Sequence, residues 1–190
     1  MLDVAMKFIT DELNAYIAVR TGSDTVQVKL TRFPTELASK YAFEEGFLGL
    51  TVINLEEERT TKSQLPTHAY VNGQHVVREP EIKINLHTLI GANFKQYDEA
   101  LKYISMVMVF FQSHPVFTPG DYPALDPEIE RLAVELMSPS YEQLNQIWGF
   151  VGTKQLPSAL YKIRLVVLQD TAPSAIRAPL TEVTTTTGGR

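Results

Sequence analysis

The run Tyr103–Phe111, YISMVMVFF, constrains this chain more than any other stretch. Asn93 is placed to cap the helix expected to contain it, with Gln96 three residues on as a capping-box partner. Tyr97, Leu101, Ile104, Met108 and Phe111 follow at helical spacing, and Tyr103, Met106, Val109 and Phe110 widen the stripe. The second half of this helix is therefore apolar on more than one face. It has to be covered, by a sheet, by other helices or by a partner subunit. The run is only about half of the roughly 18 residues that a membrane span requires, so burial in protein is expected and insertion in a membrane is not. His114-Pro115 ends the helix.

The flanking sequence supplies material to cover it. Glu81–Ile90 alternates cleanly: Ile82, Ile84, Leu86 and Thr88 fall on one side and Lys83, Asn85, His87 and Leu89 on the other. Further strands are expected at Thr25–Leu30, Phe47–Leu55, Glu128–Met137 and Ala159–Gln169, the last buried toward its C-terminal half. Asn72-Gly73 inside Ala69–Val77 is the strongest short hairpin signal, for a hairpin or a loop crossing. Residues 2–19 carry an apolar helical stripe stopped near Thr21-Gly22. Ser140 and Gln143 form a capping box opening a short helix through Leu144, Ile147, Trp148 and Val151, which ends at Gly152. Residues 34–46 are expected as a loop, Thr60–His68 as a polar excursion and 171–190 as a flexible C-terminal tail. The order predicts an α+β domain over residues 1–170, a single, mainly antiparallel or mixed sheet with helices packed on one face.

Charge and composition narrow the function classes. Seventeen basic against twenty-two acidic residues give a net charge of −5, which argues against a nucleic-acid partner. With no cysteine, thiolate metal sites, disulfides and cysteine nucleophiles are excluded together. The N-terminal stripe is broken by Asp3, Lys7, Asp11 and Glu12 and lacks the continuous core of a signal peptide, so it is expected to belong to the mature protein.

Candidate chemistry concentrates in NLEEERTT, residues 54–61. Glu56, Glu57 and Glu58 could in principle bind a hard cation or divide acid and base roles, and a small metal-assisted hydrolase is the corresponding alternative function. On a strand, however, only Glu56 and Glu58 share a side, and no Asp-x-Asp or histidine nearby completes a ligand set. The cluster is better explained as a surface meeting water or a partner. His68, His75, His87 and His114 form no metal-ligand spacing; His87 is expected as a surface or partly buried polar residue. No GxSxG is present, and Gly46-Phe47-Leu48-Gly49 precedes a strand instead of a helix, the wrong order for a phosphate cradle. Trp148, Phe150, Phe110 and Phe111 are expected to pack in the core. No catalytic residue, cofactor or metal is expected.

One ordered series of phrases has a precedent. MLDVAMKFITDELNAYI, GLTVINLEEERTTKSQLP, YVNGQHVVREPEIKINLHTLIGANFKQYDEALKYI and FFQSHPVFTP are followed by LDPEIERLAVELMSPSYEQLNQIWGFVGTKQLPSALYKIRLVVLQD. Together, over residues 1–170, they resemble the N-terminal domain of the cap or tail-terminator proteins of contractile injection systems. These are phage-tail-like particles such as the antifeeding prophage and Photorhabdus virulence cassettes. The resemblance implies a tail-terminator-like fold and a structural, non-enzymatic role: a homo-oligomeric ring, expected to be a hexamer, on the last layer of inner tube and sheath. Its partners would be itself, the inner tube protein and the sheath protein, with assembly in the bacterial cytoplasm. A neck or baseplate adaptor of the same particle is the alternative within this class. Candidate subunit, tube or sheath contacts are Glu56, Glu57, Glu58, Arg59, Thr60, Lys62 and Gln64.

Overall fold

A computed structural model describes residues 1–33, 42–58, 67–71, 74–78, 82–168 and 175–177. Its elements in chain order are α1 (Leu2–Thr21), β1 (Val28–Leu30), β2 (Phe47–Glu57), β3 (Thr67–Val71), β4 (Gln74–Arg78), β5 (Ile82–Asn93), α2 (Tyr97–Ser113), β6 (Val116–Phe117), β7 (Leu132–Met137), α3 (Tyr141–Val151), β8 (Ser158–Leu168) and β9 (Ala175–Arg177). Six strands form the main sheet in the order β1-β2-β5-β8-β7-β6, antiparallel except for the parallel pair β1 and β2. The α+β class and the mixed sheet are as the sequence predicts. β3, β4 and β9 form a separate three-stranded sheet.

The sheet is covered on both faces, not on one as expected. β5 and β8 carry buried apolar residues on both faces: Leu86, Ile90, Ala159, Tyr161 and Ile163 meet α1 and α2, while Leu89 and Leu160 meet the α3 side. A strand apolar on both sides needs cover on both sides. On the first face, α1 contributes Ala5, Phe8, Ile9, Leu13 and Ile17, and Phe8 meets Phe117 edge-on at 5.5 Å. On the second face Trp148 and Val151 of α3 join Phe43, and Phe33 stacks on Phe43 at 4.8 Å. These rings lie over Gly49 and Gly91, which are cross-strand partners; a Cβ at Gly49 would come within 2.7 Å of both rings.

Several expectations shift. Asn93 does not cap α2: it is the last residue of β5, and its buried side-chain amide donates to the Phe43 carbonyl at 2.6 Å. Gln96 takes the N-cap position without a side-chain cap bond. The buried stripe of α2 is Ala100, Tyr103, Ile104, Val107, Phe110 and Phe111, leaving Tyr97, Leu101, Met108 and Val109 exposed. A helix apolar on two faces has no phase that its 3.6-residue period can fix, so packing chooses it. Phe150 projects to solvent, whereas Trp148, Phe110 and Phe111 are core as expected. Strand structure begins at Val28 instead of Thr25, and at Leu132 instead of Glu128, with Ile129 buried ahead of the strand. The proline-rich loop also holds the short strand β6.

Other expectations are met locally. α3 begins with the capping box: the Gln143 backbone N–H donates to the Ser140 hydroxyl and the Ser140 N–H to the Gln143 side chain. It ends at Gly152 in the left-handed conformation. β3 and β4 pair antiparallel with Val71 opposite Gln74, and Asn72-Gly73 between them lies outside the described residues. β8 occupies the expected range, and the burial of its residues 165–168 lies outside the described residues. So do residues 34–41 of the expected loop, although Ala42 and Phe43 from that stretch are fully buried. Residues 60–66 of the excursion are also outside them, while Thr67 and His68 open β3. Within 171–190 only Ala175–Arg177 is described, and it pairs with β4 as β9.

Candidate contact face

A β-bulge in β2 decides where the glutamates go. The register with β5 shifts between Val52 and Asn54, and beyond it Asn54 lies opposite His87, Glu56 opposite Asn85 and Glu57 opposite Ile84. Glu56 thus shares a face with Asn85 and His87, and Glu57 takes the opposite face. On that same face β5 pairs with β8, His87 opposite Lys162 and Asn85 opposite Arg164, and β7 adds Glu135 opposite Lys162. The outcome is a polar ladder across four strands, on the α3 side of the sheet and beyond the apolar half that Trp148 covers.

The ladder is internally paired. The His87 ring lies with Nε2 3.0 Å from Glu56 Oε2, and Lys162 Nζ is 3.7 Å from the same oxygen. The hydrogen bond from His87, then the Lys162 charge, hold the Glu56 carboxyl below the ordinary glutamate range. Buried Asn85 donates to Glu58 Oε2 at 3.2 Å, and Arg164 Nη2 donates to Glu135 Oε2 at 2.8 Å. Glu56 is about half exposed, so these pairs are open to solvent and to exchange with a partner's charges. Above the ladder, α3 walls a cleft of about 700 Å³ with Gln143, Gln146, Ile147 and Phe150.

The three glutamates do not converge on one point. Glu56 engages His87 and Lys162, Glu58 engages Asn85, and Glu57 faces away. Among the described residues no group of three or more His, Asp or Glu side chains could hold a metal ion. The geometry offers a mixed-charge surface. Of the candidate contacts, Arg59, Thr60, Lys62 and Gln64 lie outside the described residues. The sequence reading missed His87, Lys162, Arg164, Glu135 and Asn85 as members of this face. Alternation within YKIR does place Lys162 and Arg164 on one side of their strand, but nothing local says which strand lies beside it.

The family model for the Pvc16 N-terminal domain matches residues 5–182. The chain belongs to the Pvc16 N-terminal domain family. Two solved structures share the fold. One is the sheath/tube terminator of an extracellular contractile injection system, PVC, in its extended state: TM-score 0.58, 16% identity, covering 96% of this chain and 63% of that one. The other is the anti-feeding prophage cap, a tube-terminating cap: TM-score 0.60, 13% identity, covering 94% of this chain and 60% of that one. The chain thus spans under two thirds of the length of these two structures. No curated protein matches it. Among the described residues no helix is long and apolar enough to cross a membrane.

Proposed function

We propose that this chain caps a contractile injection system. In this reading it forms a ring of identical subunits, expected to be sixfold, on the last layer of inner tube and sheath, ends their polymerisation and stabilises the extended particle. The carrying observation is the family match over residues 5–182. The role is structural, not enzymatic, with the inner tube protein, the sheath protein and further copies of the chain as partners, and with assembly in the cytoplasm. The face of Glu56, His87, Lys162, Glu135 and Arg164 suits such a role, because half-exposed charge pairs can be re-paired by a neighbour and fix register. Glu57, Glu58, Arg59, Thr60, Lys62 and Gln64 remain candidate contacts beside it.

The test is removal of the protein from the producing cell. Electron microscopy is expected to show tubes of uncontrolled length and unstable sheaths, and labelled protein is expected at the end opposite the baseplate. Normal particle length without the protein, or label at the baseplate, would overturn the reading.

A further inference from the structure

Two buried polar atoms at the end of α3 have no partner in this chain. The Trp148 indole N–H and the Thr153 hydroxyl are both shut off from water, and neither is hydrogen-bonded among the described residues. Buried polar groups in native folds are nearly always paired, so two orphans side by side call for a cause. Trp148 stands in the last turn of α3 and is 5% exposed, and Thr153 directly follows the left-handed Gly152 that ends the helix. Both line one cleft of about 400 Å³ beside the helix.

The rest of the wall has one chemical character. Tyr141, Asn145 and Gln155 are exposed and polar, Leu144 is half-buried, and the described lining contains no Asp, Glu, Lys, Arg or His. Gly149 completes it from inside α3, a position where glycine is a poor helix former. Packing within this chain does not require the glycine, because a Cβ there would meet nothing within 4 Å. A bare backbone on the wall of a cleft admits close approach from outside.

We infer that this cleft holds an uncharged peptide segment of a neighbouring protein in the particle, with one amide carbonyl of the segment accepting from both orphans. An indole N–H can only donate, a hydroxyl can donate, and a carbonyl oxygen has two lone pairs to receive them. The Asn145 and Gln155 amides, each donor and acceptor, match the peptide groups on either side. A carboxylate would accept the same two bonds, but it would be desolvated against a lining without a cation. A sugar is the poorer match because the Trp148 ring is buried and leaves only Tyr141 to offer an aromatic face. The inference rests on the cap reading and assigns one of its contacts.

The test compares the wild type with Gly149→Leu, which fills the cleft, and Trp148→Phe, which keeps a buried ring and removes the donor. Occupancy is measured in purified particles and the melting midpoint on the isolated proteins. Gly149→Leu is expected to melt no lower than the wild type, since leucine is the better helix former, while its occupancy falls at least about tenfold. Trp148→Phe is expected to lose at least about threefold in occupancy, and it decides the matter should Gly149→Leu melt lower. Trp148 is the chain's one tryptophan, so the isolated wild type gives a single indole N–H resonance. That resonance is expected to move on titration with N-acetylglycinamide and to stay in place with sodium acetate or glucose. A resonance that the amide leaves in place would overturn the amide assignment, and movement with acetate or glucose instead would name an anion or a sugar. Full occupancy by either variant would overturn the inference and leave the cap reading standing. Absence of the wild-type protein from particles would overturn both.

Discussion

Asn14 and Val28, fourteen residues apart, are joined by two hydrogen bonds in which a side-chain amide takes the place of a neighbouring strand. Asn14 thereby ties α1 to the sheet and satisfies both outward backbone groups of a residue that is itself buried. Removing the amide leaves a donor and an acceptor without partners.

Asn14→Ala is accordingly expected to lower unfolding stability by about 1–3 kcal/mol, the cost of orphaned buried polar groups. Urea titration checks it. A change indistinguishable from zero would mean that water replaces the amide at no cost.

Gly49 and Gly149 should respond to alanine in opposite directions. At Gly49 a methyl group enters the stacked rings of Phe33 and Phe43, and a loss of roughly 1–3 kcal/mol is expected from overpacking. At Gly149, inside α3, a Cβ meets nothing within 4 Å, and a gain of about 0.5–1 kcal/mol is expected from helix propensity. The two variants are compared in one denaturation series, where equal signs would contradict the packing described.

Trp148 is buried, and its indole N–H has no hydrogen-bond partner among the described residues. Trp148→Phe then forfeits packing but no hydrogen bond, whereas Trp148→Ala opens a cavity that costs about 3–5 kcal/mol. Thermal unfolding should place the phenylalanine variant much closer to the wild type than to the alanine variant.

Glu56 predicts an acid dependence. Its folded-state pKa lies below the ordinary value, so its contribution is fully present above about pH 4.3 and is lost as pH falls through the folded value. Glu56→Gln is therefore expected to be less stable than the wild type at neutral pH and to converge with it once the pH has fallen through the folded value, where the wild-type carboxyl is protonated too. A gap that stays the same size through the whole acid titration would assign the loss to packing and not to the charge.

Local signals were reliable where one stretch of chain carries the whole interaction. The Ser140–Gln143 capping box, the stop at Gly152, the antiparallel pairing of β3 with β4 and the shared side of Glu56 and Glu58 depend on residues within a few positions of one another, and each was legible. The family resemblance was legible for a related reason: it resides in the order of phrases along the chain, which needs no folding to be seen.

What the tertiary structure alone decided is which surfaces meet. Asn93 was assigned to the helix after it because its partner, the Phe43 carbonyl, is fifty residues away. The phase of α2 was open because its apolar residues satisfy two faces, and packing against α1, β5, β7 and β8 selects one. Likewise Glu56 had no histidine within sequence reach, yet strand pairing sets His87 beside it, with Lys162 one strand further on. Periodicity fixes the side to which a residue points, whereas strand order is set by burial summed over the whole core. The sequence by itself determined most of the elements, the alternation along the strands and the family resemblance; the buried face of α2 and the neighbours of each face were settled by packing.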